Sequence, residues 1–393
     1  MDYITASEAA EKWGVSSRSV AYHLAAGRIP GVEKKGKLWL IPADAGRPAD
    51  KRHRERPANR YSLSDDLARL LTATAGVMPE DSPDAVLDSV NEERMWLQYE
   101  GELAYLRGDF RTTMACFQRT RGDDAARLRA CLVAIAAAIS LGDYRAYTEI
   151  DAYLKKCVEA HRGSGAADFA ELALSTAAVS VVAPNMAPVW LKEGDFSTLA
   201  PQAKPNALYL RAKYFHCLHN YEAMLAVAQT ALTLSVQPHG FTTTDIYLRV
   251  TCAVACHCLR RDEEARRWLL SAMRLALPHG FITPFAEVVT ALGGLMEQSL
   301  EQEFPSCLAA VLGQWKRTWK NWIAFHNQFT KDNITLILTL REYHLALLMA
   351  QRVPYARIAR QHCISVGRLK NIMLEIYEKL YISGRDELVK YIM

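Results

Sequence analysis

The chain has 393 residues, half of them apolar, with 47 Lys and Arg against 43 Asp and Glu and a net charge of +4. That length exceeds one ordinary core and implies roughly two to four domains, and the apolar half rules out wholesale disorder. No apolar run reaches the roughly eighteen residues of a membrane span, and nine cysteines scattered through helical patterns suit a reducing compartment better than a disulfide framework.

The charge is uneven along the chain. Residues 1–60 carry 12 basic and 7 acidic side chains, residues 331–393 carry 10 and 6, and the middle is left with a net −5. Basic ends around an acidic middle predict that the ends meet a polyanion. The opening Met1-Asp2-Tyr3-Ile4-Thr5 is acidic and lacks a signal-peptide hydrophobic segment, so a cytoplasmic protein is expected.

Ala10, Val15 and Val20 stand at five-residue steps, with Gly14 in a turn between them and Ser16 at an N-cap position. The spacing predicts one helix over 6–13 and a second over 17–26, ended by Gly27 and the Pro30-Gly31 turn. Residues 32–42 alternate around Lys34-Lys35-Gly36-Lys37 and read as a hairpin with three lysines at its tip. Tyr3-Ile4-Thr5, Glu8-Ala9-Ala10, Gly14-Val15-Ser16, Gly27-Arg28-Ile29-Pro30 and Trp39-Leu40-Ile41-Pro42 together resemble the small winged helix-turn-helix of excisionase and MerR-like proteins, over roughly residues 1–45. The resemblance implies that Ser17, Arg18 and Tyr22 face the major groove and that Lys34, Lys35 and Lys37 touch phosphate. His23 departs from the apolar residue usual there and is expected near the core. Gly31 to Lys37 also fits G-x-x-x-x-G-K, but Leu38 replaces the required Ser or Thr and no helix follows.

Residues 46–84 hold Pro48, Pro57 and a dense Lys/Arg/His run, and are expected to be a basic linker and connecting segment. From 85 to 330 the pattern is helix after helix. Gly108-Asp109-Phe110 and Gly142-Asp143-Tyr144 mark two turns between paired helices, and Gly101 is a small residue where such helices cross. Ala212/Ala253, Met224/Ala265 and Ala231/Ala272 are each 41 residues apart, and Pro238-His239-Gly240-Phe241 recurs as Pro278-His279-Gly280-Phe281. A period near 40 made of helix pairs predicts a stacked α-solenoid. The array resembles the degenerate tetratricopeptide region of MalT-like regulators. Residues 183–205, with four prolines, interrupt it as a long loop or an irregular helix pair.

Trp315, Trp319, Trp322, Phe325 and Phe329, spaced 4, 3, 3 and 4, form one helical stripe. It reads as a seam joining the solenoid to the last domain, with an effector pocket as the other reading. Beyond it, Ala359, Ile364 and Leu369 repeat the five-residue steps of the N-terminus, and Ser365 holds the N-cap place. Arg368, Lys370 and Asn371 project away from Leu369, offering cations and an amide of the kind that reads the major groove. Leu338-Thr339, Arg341-Glu342, Ile358-Ala359, Ile364-Ser365, Leu369-Lys370-Asn371, Ile376-Tyr377 and Lys379-Leu380 resemble the LuxR-type DNA-binding domain, over about 336–393. That resemblance implies a four-helix module whose third helix, 366–380, enters the major groove and whose fourth, 384–391, supports a homodimer. Arg352 stands where a glycine usually makes the turn, Ile372 replaces a polar groove-side residue, and Glu375 places an anion toward phosphate.

Cys252, Cys256, His257 and Cys258, with His216, Cys217 and His219 one unit earlier, invite a metal site, but buried thiols on a packing face are the favoured reading. No catalytic constellation stands out, and neither an enzyme nor a cofactor nor a bound metal is expected. The expected fold class is mainly α: winged helix-turn-helix, tetratricopeptide-like solenoid, LuxR-type helix-turn-helix. The expected function is a bacterial transcription regulator that joins the nucleoid when bound to DNA. Its expected partners are double-stranded DNA, RNA polymerase, and a small-molecule or peptide effector on the solenoid that changes the separation of the two readers; no membrane is among them. The alternative is a tetratricopeptide scaffold that uses its helix-turn-helices to dock a protein partner.

Overall fold

A computed structural model describes residues 3–25, 27–36, 38–46, 62–74, 78–79, 82–234, 240–330, 338, 340–380 and 382–392, the side chains of Arg18, Leu340 and residues 389–392 excepted. The fold is mainly helical. It divides into two compact units, Met1–Ser62 and Leu63–Met393.

In the first unit, β1 (Tyr3–Thr5) leads into α1 (Ala6–Trp13), and a tight turn joins α1 to α2 (Ser17–Ala25). Thr5 and Glu8 form a reciprocal capping box, and Gly14 ends α1 at a left-handed φ of 62°. The Val15 amide donates to the Ala10 carbonyl at 3.0 Å, which places Val15 against the helix it has just left. The hairpin β2 (Glu33–Lys35) and β3 (Leu38–Pro42) pairs back onto β1, in the antiparallel order β1-β3-β2. Ala9, Ala10, Val20, Leu24, Ile29 and Ile41 make a small core. His23 is buried beside them, in keeping with the reading near the core.

The second unit opens with α3 (Leu63–Ala73), inside the segment expected only to connect. Leu67, Leu70 and Leu71 are buried in the main core, and Arg94 reaches both Asp66 carboxylate oxygens at 3.2 Å. The apolar period of α3 outweighs the basic, proline-rich character of the residues before it, so the helical array starts at Leu63. There follow α4 (Ala85–Ser89), α5 (Glu93–Leu106), α6 (Phe110–Arg119), α7 (Asp124–Leu141), α8 (Tyr144–Ala160) and α9 (Gly165–Ser180). Residues 183–205 carry only α10 (Val189–Glu193) and two short 3-10 turns, yet Ala187, Leu191, Leu199 and Ala203 are buried in the same core. Two further pairs come next, α11 (Lys204–Cys217) with α12 (Tyr221–Leu234) and α13 (Thr243–Cys258) with α14 (Asp262–Ala276).

One turn recurs between paired helices. Asp109, Asp143, Asn220 and Arg261 each donate a backbone N–H five residues back, to Ala104, Ala138, Phe215 and Cys256, at 2.8–2.9 Å. The residue before each is left-handed: Gly108, Gly142, His219 and Arg260. The first two have the glycine this conformation favours; the last two adopt it with side chains. Val182 does the same after α9.

The array does not stay open. Thr283 Oγ1 donates to the Tyr105 carbonyl at 2.6 Å, Tyr105 OH donates to Glu287 Oε1 at 2.6 Å, and Met78 bridges to Phe241. The first helical pair therefore meets the segment after the last, through α15 (Thr283–Ala286), α16 (Val289–Leu292) and α17 (Gly294–Glu303). The 26-residue α18 (Pro305–Thr330) packs on α7, α15 and α17, its buried Gln314 donating to Thr283 Oγ1 at 2.9 Å and its Asn321 to the Ser140 carbonyl at 2.8 Å. The chain ends in α19 (Leu340–Ala350), α20 (Tyr355–Gln361), α21 (Val366–Leu380) and α22 (Arg385–Ile392), around a third core that includes Leu345, Met349, Ile358, Leu369 and Ile376.

Candidate functional site

The corner between α20 and α21 repeats the geometry of the α1–α2 turn. The Ile364 amide donates to the Ala359 carbonyl at 2.9 Å, as Val15 does to Ala10, and Cys363 takes the left-handed φ of 52° that Gly14 supplies in the first unit. Ser365 Oγ accepts the Arg368 amide at 3.1 Å, capping α21. Leu369 is fully buried, while Arg368, Lys370 and Asn371 are exposed on the opposite side. Arg357 and Arg360 on α20 are exposed as well. Among the described residues none of these four cations has an ion-pair partner, whereas Lys379 is tied to Glu342 at 2.7 Å and Arg352 to Asp386 at 3.5 Å.

One expectation about this module changes. Ile372 is 9% exposed and belongs to the third core, so it does not replace a groove-side residue. Three positions after Leu369 it lies on the same helical face, which its neighbours settle before any partner is considered. Arg352 does make the turn, at a left-handed φ of 60°, and the amide of the next residue, Val353, donates to the Leu348 carbonyl at 3.0 Å. Glu375 is exposed.

In the first unit Ser17 is exposed at the start of α2, and Tyr22 is exposed with the Arg28 guanidinium 5.2 Å over its ring. Lys34 lies 5.0 Å over the Trp39 ring, and Lys35 is exposed beside it. The Arg18 side chain and Lys37 lie outside the described residues.

The second feature is a cavity of about 520 Å³ inside the Leu63–Met393 unit. Its walls come from the C-terminal ends of α9, α11 and α13, from α18, and from α19 with Gln361 of α20. The aromatic stripe divides here. Trp315, Trp319 and Trp322 line the cavity, while Phe325 and Phe329 pack on Tyr147 at ring separations of 5.1 and 5.4 Å. Two successive three-residue steps each fall about 60° short of a helical turn, which rotates the stripe from the cavity into the core.

The histidines and thiols singled out by sequence also divide. Cys252 and Cys256 are fully buried packing residues, their thiols pushed by burial up to about 12 and about 11. His216, Cys217, His219, His257 and Cys258 line the cavity. Among the described residues no group of three or more His, Cys, Asp or Glu is arranged to hold a metal ion. Burial pushes the His216 and His344 rings down to about 3 and His257 and His362 to about 4, so all four are uncharged at neutral pH. Gln361 closes the cavity beside the module of α19–α22: its Nε2 meets His257 Nε2 at 2.7 Å, and its Oε1 accepts from Arg260 at 2.9 Å.

Sequence reasoning missed Gly293 and Gly294. A Cβ on Gly294 would collide with the Gln361 carbonyl oxygen, and Gly293 has a left-handed φ of 50°. A Gly-Gly pair inside a helical pattern was the available signal.

Among the described residues no helix is long and apolar enough to cross a membrane. Compared with family models, curated proteins and solved structures, the chain matches none.

Proposed function

We propose that the chain is a bacterial DNA-binding transcription regulator, with readers at both ends and a solenoid between them that carries an effector cavity. The observation that carries this reading is the α20–α21 corner. Arg357, Arg360, Arg368 and Lys370 are exposed there, without ion-pair partners among the described residues, beside the amide of Asn371. An isolated solvated charge is ordinary, but four unpaired cations around one capped helix start make a phosphate-binding surface next to groups that read base edges. The basic first unit, with Ser17, Arg18, Tyr22, Lys34, Lys35 and Lys37, supplies the second reader. The resemblances to LuxR-type, MerR-like and MalT-like proteins support the same assignment. With it come cytoplasmic placement, a homodimer through α22, and RNA polymerase as a further partner.

The test is duplex DNA from the gene's own upstream region, bound at two or more salt concentrations. Binding should weaken steeply with salt, and Lys370→Ala should lower the slope of log affinity against log salt by about 1. An unchanged slope removes Lys370 from the interface. No binding even at low salt replaces this reading with the protein-docking scaffold. Deleting residues 1–45 then shows which end reads: site-specific binding that survives assigns it to α21 alone.

A further inference from the structure

We propose that the cavity between the helical array and the α19–α22 module binds a hydrophobic organic cation, held by the Glu287 carboxylate and the indole faces of Trp315, Trp319 and Trp322. This rests on the effector half of the function proposed above and names the chemical class of the effector.

Two observations set the sign of the charge, the acidic side chain of the wall and the helix ends that meet there. Among the described residues Glu287 is the single acidic residue in the cavity wall, and it accepts a hydrogen bond from Tyr105 OH at 2.6 Å. Around it stand Tyr105, Tyr209 and Tyr247, with Lys213 near but outside the wall. Burial raises its carboxyl, which Lys213 only partly opposes, and a cation bound beside it would favour the ionised form. Three helices, α9, α11 and α13, end on the cavity at Ser180, Cys217 and Cys258, and a helix C-terminus carries a partial charge of about −0.5.

The basic groups do not offset this. Among the described residues Arg260 is the one basic side chain of the wall apart from the histidines. It is engaged with Gln361, at the far end of α13 from Tyr247, about 16 Å along the helix axis. His216, His257 and His344 are held uncharged by burial.

Shape and surface agree with the charge. A volume of about 520 Å³ suits one small organic molecule. Indole faces attract a cation through the ring quadrupole, and the attraction grows when water is excluded. Val182, His219 and Arg260, the described non-glycine residues of the array with left-handed backbone, all line this cavity.

The experiment uses the full chain without DNA, so it succeeds or fails whether or not the DNA-binding reading holds. Tryptophan fluorescence is titrated with tetraphenylphosphonium and with tetraphenylborate, which have the same shape and opposite charge. The cation should quench saturably and bind at least about tenfold tighter than the anion, and Glu287→Gln should weaken the cation by at least about tenfold. Trp319→Phe should reduce the quench. Equal or tighter binding of the anion, binding of neither, or unchanged cation affinity in a folded Glu287→Gln chain each overturns the proposal. The wild-type comparison decides by itself should Glu287→Gln not fold.

Discussion

Replacing His344 with phenylalanine should remove about half of the acid sensitivity that two buried histidines give this fold. His344 is 9% exposed and His257 5%. Burial, aided by His362, holds the His344 ring at about 3, and burial holds His257 at about 4. An unfolded histidine takes its proton near 6.5. Between those values the unfolded chain binds protons that the folded chain refuses, so stability is full above pH 6.5 and is lost as pH falls. At about 1.4 kcal/mol per pH unit, each ring costs about 2 kcal/mol between pH 7 and pH 5, or about 4 for the pair. His216 and His362 are held down in the same way but are less completely buried, and they add less. Glu287 acts with the opposite sign, since its raised carboxyl favours the fold at lower pH, but it is common to both proteins and cancels. Phenylalanine keeps an edge toward His362, whose ring is 5.1 Å away at 80°, and such a swap costs under about 1.5 kcal/mol. Urea unfolding at pH 5, 6 and 7 should therefore show the variant losing about 2 kcal/mol less than the wild type. Parallel lines for the two proteins across that range would refute the argument.

Gly294→Ala places a methyl against the backbone oxygen of Gln361, so α20 must move; hydrogen exchange should quicken in α19–α21 and stay unchanged in α7. Leu67→Ala should cost about 2–5 kcal/mol in urea unfolding, because Leu67 is 2% exposed in the main core; a cost near zero would return α3 to the role of linker. Ellman's reagent should modify Cys363 first, since it is exposed, while Cys252 and Cys256 react only on unfolding. Simultaneous reaction of all three would contradict their burial.

Local chemistry made some elements legible in sequence and left others hidden. The bounds of α1 and α21 follow from neighbours a few residues away: Thr5 with Glu8 and Gly14 in one case, Ser365 and the period through Leu369 and Ile376 in the other. The Gly-Asp turns were legible because glycine marks left-handed backbone. The same turn at His219-Asn220 and Arg260-Arg261 carries no such mark. The cavity was hidden for a different reason. Its wall draws on residues from Ser180 to Gln361, and it exists only because the array closes through Tyr105, Thr283 and Glu287, contacts about 180 residues apart that no local period encodes. The tryptophan stripe gave the helix correctly; its division between cavity and core depended on which neighbours the closure supplied.

That closure also bears on how an occupied cavity could be felt by α21. One face of α19 presents Tyr343, His344 and Leu347 to the cavity, and the other buries Leu345, Ala346 and Met349 in the third core. Helices are stiff, so a ligand that displaces α19 displaces the core on which α21 rests. Gln361 gives a second link, since it ends α20 two residues before Cys363 and is held by His257 and Arg260. Magnitudes decide whether this clasp suits regulation. A neutral hydrogen bond contributes about 0.5–1.5 kcal/mol net and one to a charged group about 1.5–3, so the two together contribute about 2–4.5. Coupling energies between sites are typically about 1–3 kcal/mol. The clasp is of that size: enough to favour one position of α20 strongly, and little enough for a bound ligand's differential affinity to offset it.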